Sequence, residues 1–187
     1  MRLKLSIPWE RVPSAQPISR FLFFSALVIS LTACSRTISF EEEVEISPGE
    51  VIVIKREEKH KRSSEAFKPG WRFEKSILKL PIKGAPDWVG EELRPMLLLK
   101  NQDGSITLVG RAVFGGCARY REFLYKDGKW SGTAFEQQYF EKEANLLIAG
   151  DEVESSSKRI LLLEKKKKNN EPGLPDFSKR IVRNRSC

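Results

Sequence analysis

Two Asp-Gly turns, each set between strand-like runs, constrain this chain more than anything else in it. Met96-Leu97-Leu98-Leu99-Lys100 and Ile106-Thr107-Leu108-Val109 flank Asn101-Gln102-Asp103-Gly104, and Tyr120–Tyr125 and Trp130–Phe135 flank Lys126-Asp127-Gly128-Lys129. Asp-Gly supplies the positive φ angles that close a tight hairpin, and the flanking aliphatic, aromatic and β-branched residues suit a pleated surface. Two hairpins in succession imply an antiparallel meander.

The remaining pattern extends the same theme. Phe40, Val44 and Ile46 alternate with glutamates before a turn at Ser47-Pro48-Gly49, and Val51–Ile54 continues as a strand into the polar stretch Lys55–Ser64. Trp71, Phe73, Ile77, Leu78, Leu80 and Ile82 make a longer strand whose alternation slips near Ser76, as at a β-bulge. Pro81, Gly84 and Pro86 mark a loop that ends around Trp88. Glu136–Leu147 reads either as a short helix with Phe140, Ala144 and Leu147 on one face, or as a loop leading to a strand at 145–148. Ile160–Leu163 reads as a last strand, ended by Lys165–Lys168. The sum predicts an all-β fold with little helix, built as a mainly antiparallel meander in a sandwich or a partly open barrel. No internal repeat of solenoid period is present.

The N-terminus is different in kind. Residues 21–33 form an apolar run after a basic segment, too short for the roughly 20 residues of a membrane-spanning helix and of signal-peptide length. The preceding segment is long for such a leader and contains Pro8, Glu10, Pro13 and Pro17. Leu31-Thr32-Ala33-Cys34 resembles the lipobox of bacterial lipoproteins: an aliphatic residue, two small ones, then cysteine. That resemblance implies that Cys34 receives a diacylglyceryl group, that residues 1–33 are removed, and that acyl chains at Cys34 hold the protein to a membrane. Ser35, in the position where an Asp would resemble an inner-membrane retention signal, implies the outer membrane facing the periplasm. The expected organisation is a signal peptide at 1–33, a β-rich domain at 34–168 and a basic tail at 169–187. Around Arg94–Leu98, Lys126–Trp130 and Ala144–Leu147 the domain is similar to uncharacterised proteobacterial lipoproteins, a resemblance that implies no activity.

Charge narrows the partners. The formal charge is +8. The leader carries Arg2, Lys4, Arg11 and Arg20 against Glu10, so three of those charges leave with it. The remaining surplus suits an anionic lipid or cell-wall polymer; nucleic acid would call for a denser basic face with aromatic platforms. The strongest basic cluster is Lys165, Lys166, Lys167 and Lys168 with Lys179, Arg180, Arg183 and Arg185, read either as an anionic-surface contact or as a solvated strand end whose lysines discourage edge pairing.

Residues with catalytic chemistry are few. With Cys34 lipidated, Cys117 and Cys187 are left in an oxidising compartment, which favours a disulfide between them over two unpaired or intermolecular thiols. His60 is the sole histidine and stands in a charged run that reads as a solvated strand end or loop, so neither a triad nor a histidine metal site is indicated, and no Cys-x-x-Cys exists. Gly110–Cys117 lacks the spacing of a phosphate loop and reads as a strand with a glycine bend. Acid pairs such as Glu41–Glu43 and Glu91-Glu92 read as solvated faces. The expectation is a non-enzymatic envelope lipoprotein, without cofactor or metal, that contacts an envelope protein or cell-wall partner. The alternatives are an anionic-polymer binder and an inhibitor of a hydrolase.

Overall fold

The structure, a computed structural model, describes residues 35–63, 70–114, 117–148 and 159–183. Contacts divide the chain into Met1–Cys34 and Ser35–Cys187, and everything described belongs to the second unit. The leader, Cys34, Arg185 and Cys187 lie outside the described residues.

Among the described residues nine strands form two sheets. β1 (Ser35–Ser47), β2 (Glu50–Arg62), β3 (Trp71–Lys79), β4 (Trp88–Glu91) and β9 (Arg159–Ile160) make a five-stranded sheet in the order β4-β3-β2-β1-β9. β5 (Arg94–Lys100), β6 (Ile106–Phe114), β7 (Cys117–Lys126) and β8 (Lys129–Thr133) form the second sheet, a simple meander in sequence order. All neighbours are antiparallel except β1 and β9, which run parallel. The fold is all-β, and its sheets do not close into a barrel.

The turns explain the register. Asp127 and Gly128 both take positive φ, 51° and 77°, as a two-residue type I′ hairpin requires. In the β5–β6 turn Gly104 has φ 82°, and the Asp103 carboxylate accepts from Ser105 N at 3.0 Å and from Lys126 Nζ at 2.9 Å, tying two hairpins together. The bulge expected near Ser76 falls at Glu74: Lys59 pairs with Lys75 but His60 pairs with Phe73, leaving Glu74 as the extra residue of β3.

The core follows parity. Val44, Ile46, Ile54, Leu78, Leu80 and Trp88 from the first sheet meet Leu98, Ile106, Leu108 and Ala112 from the second. Trp88 fits because glycine stands on both sides of its indole: a Cβ at Gly90 would lie 2.1 Å from Cη2, and one at Gly110 would lie 3.6 Å from Cζ2. The second sheet is also covered on its other side, where Leu97 and Val109 pack with Tyr139 and Ile181. This double burial makes Met96–Leu99 a continuous apolar run rather than an alternating one.

Two expectations are corrected here. Ile160–Leu163 is not a strand beyond Ile160: the chain turns into helix α1 (Leu162–Asn169). Of the two readings for 136–147 the loop is the nearer, with one 3-10 turn at Gln137–Tyr139 and an irregular run at 145–148 instead of a strand. The described part of the C-terminal segment is packed: after a single helical turn, α2 (Asp176–Lys179), Ile181 is fully buried. Its amide donates to Lys142 O at 3.0 Å.

Candidate functional site

Along β2 every second residue faces inward, so the charged run continues the parity of Ile54 and buries Arg56, Glu58 and His60. On β1 the same rule places Glu42 between Phe40 and Val44, all buried. These side chains form a buried row. Arg56 lies 3.3 Å from Glu42 and also pairs with Glu58, which is 3.9 Å from His60 Nε2. Lys165, reaching in from α1, is 3.4 Å from Glu42 and donates to Glu43 O. The aromatic faces of Phe40 and Phe73 lie under Arg56 and Arg94, at 5.4 and 4.6 Å.

The row holds the irregular 145–148 run against the first sheet. Leu147 N donates to Glu42 at 2.8 Å, and Arg56 donates to Leu147 O. Asn169 accepts from Ile148 N at 3.2 Å and donates to Leu146 O at 2.9 Å, while Arg94 donates to Ile148 O at 3.3 Å. Backbone groups outside a ladder need such partners when buried. Burial pushes the Lys165 ammonium down, a shift that the Glu42 charge opposes. Arg111 is pushed down to about 10, by burial first and then by the charges of Arg94 and Arg56. Glu42, Arg56 and Glu58 are all at 0% exposure.

His60 is therefore not on a solvated strand end; it is 2% exposed, with its ring edge-on to Phe73. Lys165 is likewise corrected, since a 2% exposed, ion-paired side chain is not a surface contact. The other predicted basic residues that are described take different surroundings. Lys166 and Lys167 are exposed on α1 and Lys168 is half-buried. Lys166 and Lys179 line a hollow of about 130 Å³ together with Glu45 and Glu143. Arg180 pairs with Glu141 at 3.4 Å and Asp176 at 3.8 Å, and Arg183 lies over Phe140 at 5.2 Å. Cys117 is disulfide-bonded; the other two cysteines, Cys34 and Cys187, are outside the described residues.

A cleft of about 600 Å³ opens between the two sheets. Lys61, Glu74, Lys75, Glu91 and Glu92 line one wall; Ala112, Arg119 and Arg121 line the other. Sequence could not have found it, because its walls come from β2, β3, β4, β6 and β7. Among the described residues no three His, Cys, Asp or Glu side chains are grouped to hold a metal ion. No described helix is long and apolar enough to cross a membrane.

No protein-family model matches this chain, and no curated protein and no solved structure matches it either. The functional reading rests on the chain's own residues.

Proposed function

We propose that this protein is a lipoprotein of the bacterial cell envelope, held to a membrane by acyl chains on Cys34, whose β-sandwich is a non-enzymatic interaction module. The observation that supports it is the lipobox-like Leu31-Thr32-Ala33-Cys34 at the end of the apolar run 21–33, with strand backbone already present at Ser35. Cleavage before Cys34 would place the acylated cysteine directly before the strand residues that start at Ser35. Ser35 also favours the outer membrane, facing the periplasm, in a two-membrane envelope.

The reading assigns each cysteine. A thioether at Cys34 leaves Cys187 as the disulfide partner of Cys117. The tail is packed as far as Arg183, and Val182 N donates to the hydroxyl of Tyr120, three residues along β7 from Cys117, at 3.1 Å. Four further residues span up to about 14 Å when extended. The rival pairing, Cys34 with Cys117, would remove the thiol that lipidation needs, so one experiment tests both points. Peptide mass spectrometry of the non-reduced, membrane-extracted protein should give an acylated N-terminal Cys34 and a cross-linked Cys117–Cys187 peptide. A retained leader or a Cys34–Cys117 cross-link would overturn the proposal.

A further inference from the structure

The strand register gathers a set of exposed cations at the end of the sandwich where β1 begins. Ser35 pairs with Lys61, Lys61 with Arg72, and Arg62 with Trp71. Lys61 in turn lines the inter-sheet cleft opposite Arg119 and Arg121. Lys61, Arg62, Arg119 and Arg121 are all exposed, and Trp71 is 45% exposed at the same end. Acids are present as well: Glu74, Glu91 and Glu92 line the cleft, and Arg72 is matched by Glu92 at 3.4 Å. The cations outnumber them. An indole beside basic side chains is the composition that settles at the headgroup level of a bilayer.

The geometry points to this end of the sandwich as a surface that contacts anionic lipid headgroups, with Lys61, Arg62, Arg119 and Arg121 meeting phosphates and Trp71 entering the interface. The inference rests on the lipoprotein reading for the identity of the surface: the membrane is the one that holds Cys34, one residue before the strand that pairs with Lys61. It moves the anionic contact away from the C-terminal lysines and arginines. Of those, Lys165 is buried, and Arg180 already faces Glu141 and Asp176.

The test uses residues 34–187 with Cys34→Ser, which contains the whole Ser35–Cys187 unit. Binding is measured by co-sedimentation with phosphatidylcholine vesicles, with and without phosphatidylglycerol. Binding that requires phosphatidylglycerol and weakens with added salt is expected, with Trp71 fluorescence quenched by brominated acyl chains. R119Q/R121Q should lower the partition coefficient roughly 30-fold, whereas K166Q/K167Q should leave it unchanged. K61Q/R62Q, on the other sheet, should repeat the loss, so a folding defect in one variant does not decide the result. Equal binding to both vesicle types, no binding at low salt, or loss only in K166Q/K167Q would overturn the inference. The mass of Cys34 is measured separately, so failure of the anchor and failure of this surface are distinguishable.

Discussion

Arg56 sits between Glu42 and Glu58 with all three side chains out of solvent. A buried pair is not a large source of stability, but removing one partner leaves the other charge uncompensated. Arg56→Met should therefore destabilise the domain by about 3–5 kcal/mol in denaturant unfolding. Lys165→Met should cost less, because Glu42 keeps Arg56 and the Leu147 amide. Glu122 gives a pH signature. Burial raises its carboxyl above the ordinary 4.5, although Glu136 N and the Tyr139 hydroxyl donate to it. The folded state then holds its proton more tightly than the unfolded state. The penalty is full above the folded pKa and disappears as pH falls through that value to below 4.5. Glu122→Gln should raise the melting temperature at neutral pH and flatten the wild-type gain on mild acidification; a lower melting temperature at neutral pH would contradict this. The buried row was legible only by strict parity. Ile38, Phe40, Val44 and Ile46 share a face, so Glu42 had to join them, and Ile54 carries Arg56, Glu58 and His60 inward. Charge alone gave the opposite answer because one residue in two of such a run does face water.

At the scale of elements, the hairpins were readable because their turns need particular residues, Asp127-Gly128 above all. Helix α1 was not. Its buried positions are Lys165 and Asn169, and Leu163 is 82% exposed, so the usual apolar stripe is inverted and a helical period does not show. β9 is only two residues long and pairs with β1 in parallel, a contact with no local signal. The most sensitive element is β4. Gly90→Ala would drive a methyl into the Trp88 ring, and overpacking of this kind costs about 1–3 kcal/mol or more; near-UV circular dichroism should report the displaced indole. The edge of β5 depends on one amide. Asn145 accepts from Leu98 N at 2.8 Å and donates to Leu98 O at 2.7 Å and to Glu45 O at 2.9 Å, bridging both sheets. Asn145→Ala should lose about 2–3 kcal/mol, at roughly 1 kcal/mol for each bond. Asn145→Asp, which cannot donate, should not restore it.

For the whole molecule, an all-β sandwich was readable from the alternation of strands and turns, whereas the cleft was not, since five strands of two different sheets build it. The packing of the tail was hidden for a related reason: Ile181 alone is a weak apolar signal, yet it completes the cluster of Leu97, Val109 and Tyr139. The Cys117 disulfide acts at this scale. In the chain-entropy model a closed loop of many tens of residues stabilises by about 4 kcal/mol, so reduction should lower the melting temperature by many degrees, and Cys117→Ser should match the reduced protein. A melting temperature indifferent to reductant would show that the disulfide constrains nothing.

The pairing of β1 with β9 also sets an order of events. Glu42 lies near the start of the domain, while Ile160, its strand partner, and Lys165, its counter-ion, come more than a hundred residues later. A chain made from its N-terminus can pair Glu42 with Arg56 early, but its second cation and its parallel strand partner come only from the far end. Contacts so distant in sequence fold slowly. β1 is the first strand to be made, yet the side that pairs with β9 can be completed only from a nearly complete chain, so the sheet closes there like a clasp.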